Sequence, residues 1–139
     1  MKYYSRADLY KAANVTFNPK TVVAYSYAWW RFVEVIDNLV VFNSYQYSNA
    51  TIKHQYKVRR LLQQLDIPIN LIIEAPQGLQ DLNSSILHYF RLIQQLEDKI
   101  KAPRSHKTKN EERAVLVGQY YEKIVAVRKL IKSQEVVAA

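Results

Sequence analysis

The chain is predicted to be α+β: a short N-terminal helix, a small antiparallel sheet built on a β-hairpin and backed by a helix, then a C-terminal antiparallel helical hairpin. Three observations predict it. Val22 to Ser48 is dense in Val, Ile, Tyr, Phe and Trp and folds back at Asp37-Asn38. Apolar residues from about Ala50 to Leu65 recur at helical spacing. Beyond Gln80, two stretches place apolar residues alternately three and four apart, the seam of packed helices.

At the start, Ser5 followed by Asp8 resembles a helix cap, so Arg6 to Ala13 is expected as a short helix ending at Asn14. Asn18-Pro19 is a turn signal leading into the hairpin. In the hairpin, Asp37-Asn38 tolerates the positive φ that a two-residue type I′ turn requires. That register sets Ile36 opposite Leu39, Phe32 opposite Asn43 and Trp30 opposite Tyr45. Strict alternation puts Trp30, Phe32, Ile36, Leu39, Val41, Tyr45 and Tyr47 on one face. Tyr25, Tyr27, Trp29, Val33, Val35, Val40 and Phe42 fall on the other. Both faces are apolar near the turn, so partial cover on both is expected. The rings are either core or, in part, an exposed contact row, for which Tyr27, Trp29, Trp30, Tyr45 and Tyr47 are the candidates.

Ser48 or Asn49 can cap the next helix. Thr51, His54, Val58, Leu61, Leu62 and Leu65 form its buried side. Lys53, Lys57 and Arg60 lie opposite, with Arg59 on the flank, and no acid occurs between Lys53 and Leu65. Such a stripe is either a solvated face or a phosphate-contacting one. Asp66-Ile67-Pro68 ends the helix, and Ile69 to Glu74 reads as a third strand with Pro68 at its start. Ala75 to Gln80 joins two halves, 1–76 and 77–139, of one domain.

In the second half Leu82, Ile86, Tyr89, Ile93, Leu96 and Ile100 mark one helix, and Val117, Tyr120, Ile124, Val127 and Ile131 the other. Asn110 is the expected cap of the second, with Glu111 and Glu112 at its N-terminal dipole. A homodimer through these helices competes with the intramolecular hairpin, because Phe90 and Leu92 add apolar surface. The connection gathers Lys99, Lys101, Arg104, His106, Lys107 and Lys109 without an acid between them, which favours a counter-anion.

The 139 residues contain no Cys, which removes disulfides, thiolate metal sites and thiol nucleophiles and suits a reducing compartment such as the cytoplasm. Neither a signal-peptide core near Met1 to Ala13 nor a membrane-length apolar run is present in the sequence. Two glycines leave no material for a phosphate loop, and neither HExxH nor a nucleophile elbow occurs. The three histidines, His54, His88 and His106, lack ligand-pair spacing, so no metal or cofactor is expected. The one catalytic arrangement to weigh is His54 with Lys57 and a carboxylate from Glu34 or Glu74, a metal-free nuclease-like site. A core histidine is the competing reading of His54. The net charge of +8 points instead to an anionic partner, nucleic acid above all.

At Trp29-Trp30-Arg31-Phe32, Val41-Phe42-Asn43-Ser44-Tyr45 and Lys53-His54-Gln55 to Val58-Arg59, the chain resembles a family of small uncharacterised proteins encoded by tailed bacteriophages. The likeness spans about residues 3–73. It implies a phage setting, in which accessory proteins bind nucleic acid or bind and inhibit host factors, defence proteins included. The expected function is therefore a non-enzymatic basic protein contacting nucleic acid through the basic helix and the helix-hairpin tip. The alternative is a host-protein inhibitor using its aromatic sheet face or its helical hairpin.

Overall fold

In a computed structural model, which describes residues 10–12 and 14–138, a six-stranded sheet carries one helix on one face and a helical hairpin on the other. The strands are β1 (Tyr10–Ala12), β2 (Val15–Asn18), β3 (Val23–Ser26), β4 (Trp30–Ile36), β5 (Leu39–Asn43) and β6 (Leu71–Ile73). They lie side by side in sequence order, antiparallel except for the parallel β5–β6 pair. The helices are α1 (Asn49–Gln64), α2 (Leu82–Lys101) and α3 (Lys107–Ala138).

The expected N-terminal helix is not supported where the structure describes it: Tyr10–Ala12, within the stretch expected to be helical, is strand β1. The rest of that stretch, Arg6 to Leu9 and Ala13, lies outside the described residues. Lys11 and Ala12 have helical propensity, but pairing with Val15 and Thr16 overrides it. Val15–Asn18 is likewise a strand rather than a lead-in, with Val15 and Phe17 buried beneath α1. Asn18-Pro19 does turn the chain: the Asn18 side chain accepts from the backbone N–H of Lys20 and of Thr21.

The turn at Asp37-Asn38 has φ of 53° and 60°, and Ile36 pairs with Leu39, as the turn chemistry requires. The run before it is two strands, not one, because the chain reverses again at Tyr27–Trp29. Val33 pairs with Ala24 but Arg31 with Tyr25, so Phe32 is an extra residue with no partner on β3. This bulge breaks the strict alternation. Trp30, Phe32 and Val33 all enter the α1-side core, with Phe42, Phe17 and Val58. Ile36 and Val41 turn to the opposite face, where Leu82, Val127 and Leu130 of the helical hairpin cover them. Both faces are therefore covered.

Ser48 caps α1, its hydroxyl accepting from the Thr51 N–H. The buried side is Thr51, Gln55, Val58, Leu61 and Leu62, with His54 half-buried. Gln55 donates to the carbonyls of Asn43 and Tyr45 and so ties α1 to the end of β5. The third strand is shorter than expected and parallel to β5, since α1 carries the chain back to the sheet's starting end.

Ala75 to Gln80 is laced into the sheet. Ala75 exchanges two hydrogen bonds with the Asn43 side chain, the Trp30 indole donates to the Pro76 carbonyl, and the Leu79 N–H donates to the Arg31 carbonyl. Gly78 has φ of 86°, and a Cβ there would collide with the Gln80 side chain. α2 and α3 pack antiparallel, Leu82 lying with Val127 and Leu130, and Tyr89 against Tyr120. α3 begins at Lys107, earlier than expected. Asn110 is therefore inside the helix, donating to Ser105 and accepting from Arg113.

Asn43 is fully buried with every amide contact made inside the protein. Asn43→Ala should strand the Ala75 N–H and carbonyl and cost about 2–3 kcal/mol, read as a lower urea midpoint at unchanged slope.

Candidate nucleic-acid interface

The outward face of α1 follows from its period: once Thr51, Gln55, Val58, Leu61 and Leu62 take the core, the residues between them must face water. Lys53, Lys57, Arg59 and Arg60 are all exposed, and none is ion-paired among the described residues. Between them stands Tyr56, 65% exposed, with the Arg60 guanidinium 5.9 Å from its ring centre. Tyr56, Arg59, Arg60 and Gln63 line a shallow open depression. Arg59 lies over Phe42 and Lys57 over Tyr10, so the charged heads sit on aromatic surface. The sequence reading missed Tyr56, although its place three residues from Lys53 and four from Arg60 puts it on their face.

The N-terminal end of α1 meets a group of exposed rings. Trp29 and Tyr47 are 46% and 51% exposed and stand edge to face at 6.0 Å. Tyr27, also exposed, has its ring 5.5 Å from that of His54 on α1. The reversal that presents Tyr27 and Trp29 puts Tyr27 and Ala28 at φ of 55° and 65°. Side chains other than Gly, Asn and Asp enter this region at about 1–2 kcal/mol each. Two candidate rings do not belong to this surface. Trp30 is 1% exposed, drawn into the core by the bulge, and Tyr45 is half-buried with its ring against His88.

The hairpin tip displays Lys99, Lys101, Arg104, His106, Lys107 and Lys109 to solvent. It does not join the α1 surface. α1 covers one face of the sheet and α2 with α3 the other, and the tip lies a further ~30 Å along α2 by its 1.5 Å rise. Asp98 on one side and Glu111 and Glu112 on the other sit within a turn of the tip cations. The α1 face has no acid of its own.

His54 Nδ1 is 2.7 Å from the fully buried Ser26 hydroxyl, which also approaches Thr51 at 3.4 Å. That is a core contact holding α1 to β3. The carboxylates considered with it lie elsewhere: Glu34 pairs with Arg31 at 2.7 Å, and Glu74 lies 3.5 Å from His88 Nε2. The Glu74 segment forms a second polar group: its N–H donates to the Tyr89 hydroxyl and its carbonyl accepts from Ser85. Nearby, Lys123 donates to the Ile72 carbonyl on the edge strand. Burial pushes the Tyr89 phenol well above its ordinary value, so it stays a neutral hydroxyl. Among the described residues, no three His, Asp or Glu side chains gather as metal ligands, and no helix is long and apolar enough to cross a membrane.

Comparison with family models, with curated proteins and with solved structures gave no match to this chain.

Burial raises the Glu34 carboxyl above its ordinary 4.5, outweighing the opposing Arg31 charge. An acid raised in the folded state favours the fold while protonated, and that contribution is lost as pH rises through the raised value. Glu34→Gln keeps an acceptor for Arg31 without the buried charge. Its stability relative to the parent should therefore increase from about pH 3 to pH 7, measured by denaturant titration at each pH.

Proposed function

We propose that the protein is a non-enzymatic nucleic-acid-binding module whose primary contact surface is the outward face of α1 together with the rings at its N-terminal end. The observation that carries this reading is the set Lys53, Lys57, Arg59 and Arg60, acid-free along α1 and without an ion pair among the described residues, around exposed Tyr56 and continuous through His54 with Tyr27, Trp29 and Tyr47. The cations would neutralise phosphates and release condensed counterions. The rings would stack on unpaired bases, which suits a single strand better than a closed duplex. The hairpin tip, on the other layer, serves as a secondary contact for a longer strand.

Affinity for a single-stranded oligonucleotide should fall steeply with salt, with a log–log slope near −3 for about four phosphate contacts. Replacing Lys53, Lys57 and Arg60 by Gln should flatten that slope by about 2. Tyr56→Ala should weaken binding roughly tenfold or more while leaving the slope in place. Gln at Lys107 and Lys109 should matter less than Gln on α1. Fluorescence anisotropy at several salt concentrations reads all four, and affinity indifferent to salt or to the α1 substitutions rejects the assignment.

The Trp29–Tyr47 pair also supports a second reading, a phage-encoded inhibitor of a host protein, because exposed Trp and Tyr beside Arg supply interface hot spots. The two readings separate on Trp29→Ala: an inhibitor loses a protein partner from nuclease-treated lysate, whereas a nucleic-acid binder loses affinity for the oligonucleotide.

A further inference from the structure

α3 carries a second stripe that its own chain leaves uncovered. Glu111, Val115, Gly118, Glu122, Val125 and Lys129 are spaced alternately four and three, about 160° around the helix from the residues that meet α2. All six are exposed. On the α2 side the stripe is bordered by three more exposed apolar side chains, Tyr121, Phe90 and Leu87, with the Phe90 and Tyr121 rings edge to face at 6.4 Å. Gly118 has no intramolecular reason to be glycine: it lies mid-helix, and a Cβ added there would meet nothing within 4 Å. Glycine in an exposed helix interior weakens the helix, so its use here suits a surface approached from outside.

We propose that this face binds a second copy of the same chain, with the two α3 helices antiparallel about a two-fold axis beside Tyr120. The stripe is complementary to itself only in that sense. Reversed, it sets Glu111 against the partner's Lys129, Val115 against the partner's Val125, and Gly118 beside the partner's Glu122, with room over Gly118 for the partner's Tyr121 ring. A parallel pairing would instead oppose Glu111 to its own copy and Lys129 to its own copy, which is repulsive. Each contact occurs twice across the axis, as in an isologous dimer. The seam from Glu111 to Lys129 runs about 27 Å at 1.5 Å per residue.

Sedimentation equilibrium of the full, nucleic-acid-free chain from about 1 to 100 µM should give twice the 16.3 kDa monomer mass at the upper end. Gly118→Glu, which improves helix propensity and keeps the chain folded, should leave only monomer with helical circular dichroism intact. Glu111→Lys alone and Lys129→Glu alone should each weaken the dimer roughly tenfold, and the double swap should restore it. A parent chain monomeric throughout the range overturns the proposal, whether or not another molecule takes the face. So does a dimer that tolerates Gly118→Glu, or one that the double swap fails to restore.

Discussion

The side chain of Asn43 is the point on which the rest of the architecture depends. At the end of β5, in the middle of the molecule, its amide donates to the Ala75 carbonyl at 2.8 Å and accepts from the Ala75 and Tyr45 N–H groups at 2.9 and 3.1 Å. Its own backbone carbonyl accepts from Gln55 of α1 at 2.7 Å. One buried residue thus joins the sheet, the helix on one face and the segment that carries the chain to the helices on the other. Buried amides are costly without partners and directional with them. Hydrophobic burial alone would let α1 and the helical hairpin slide over the sheet, and this network gives them a register.

The bulge at Phe32 has comparable reach. By adding a residue to β4 opposite β3, it places Trp30 and Val33, which strict alternation would separate, in one core. Next to it, beyond the residues that pair with β5, the Arg31 backbone is taken up by Leu79 and Gln80. The same offset decides which of two adjacent tryptophans meets solvent. Trp30 goes inward and finds an acceptor in Pro76, while Trp29 is left outside on the reversal.

These devices explain what could be read from the residues and what could not. The Asp37-Asn38 turn, α1 with its basic face, and the helical hairpin are specified by short-range signals: a turn needing positive φ, a capping Ser, and spacing at 3.6 residues. The strands before Trp30 are short and depend on pairing with one another rather than on a local signal, and Lys11-Ala12 carries local preferences that point to a helix. The bulge has no marker residue, since Phe32 looks like any strand phenylalanine. Alternation already set Trp30 and Trp29 on opposite faces without marking which face is buried, and Tyr45 and Tyr47 lie beyond the end of β5, where alternation no longer applies. Tyr56 could have been read, because its helical position is set by residues that were already placed.

Among the exposed rings, Tyr27 and Trp29 stand apart energetically. A reversal with Tyr27 and Ala28 both at positive φ is one that Asn-Gly would adopt at no such cost. The chain keeps bulky residues there, anchored by the Tyr27 N–H to Asn14 and by Gln80 to the Trp29 carbonyl. Neither ring is buried by this arrangement, so the strain is not offset by core packing at the two side chains that incur or adjoin it. What the strained loop does achieve is to hold Tyr27 against His54 and Trp29 against Tyr47, at the helix end where the acid-free cationic face begins. Under the proposed function, loss of solvent contact by those rings on binding would balance the strain, and a flat, anionic, ring-bearing ligand would supply both the surface for them and the charge for the lysines and arginines beside them.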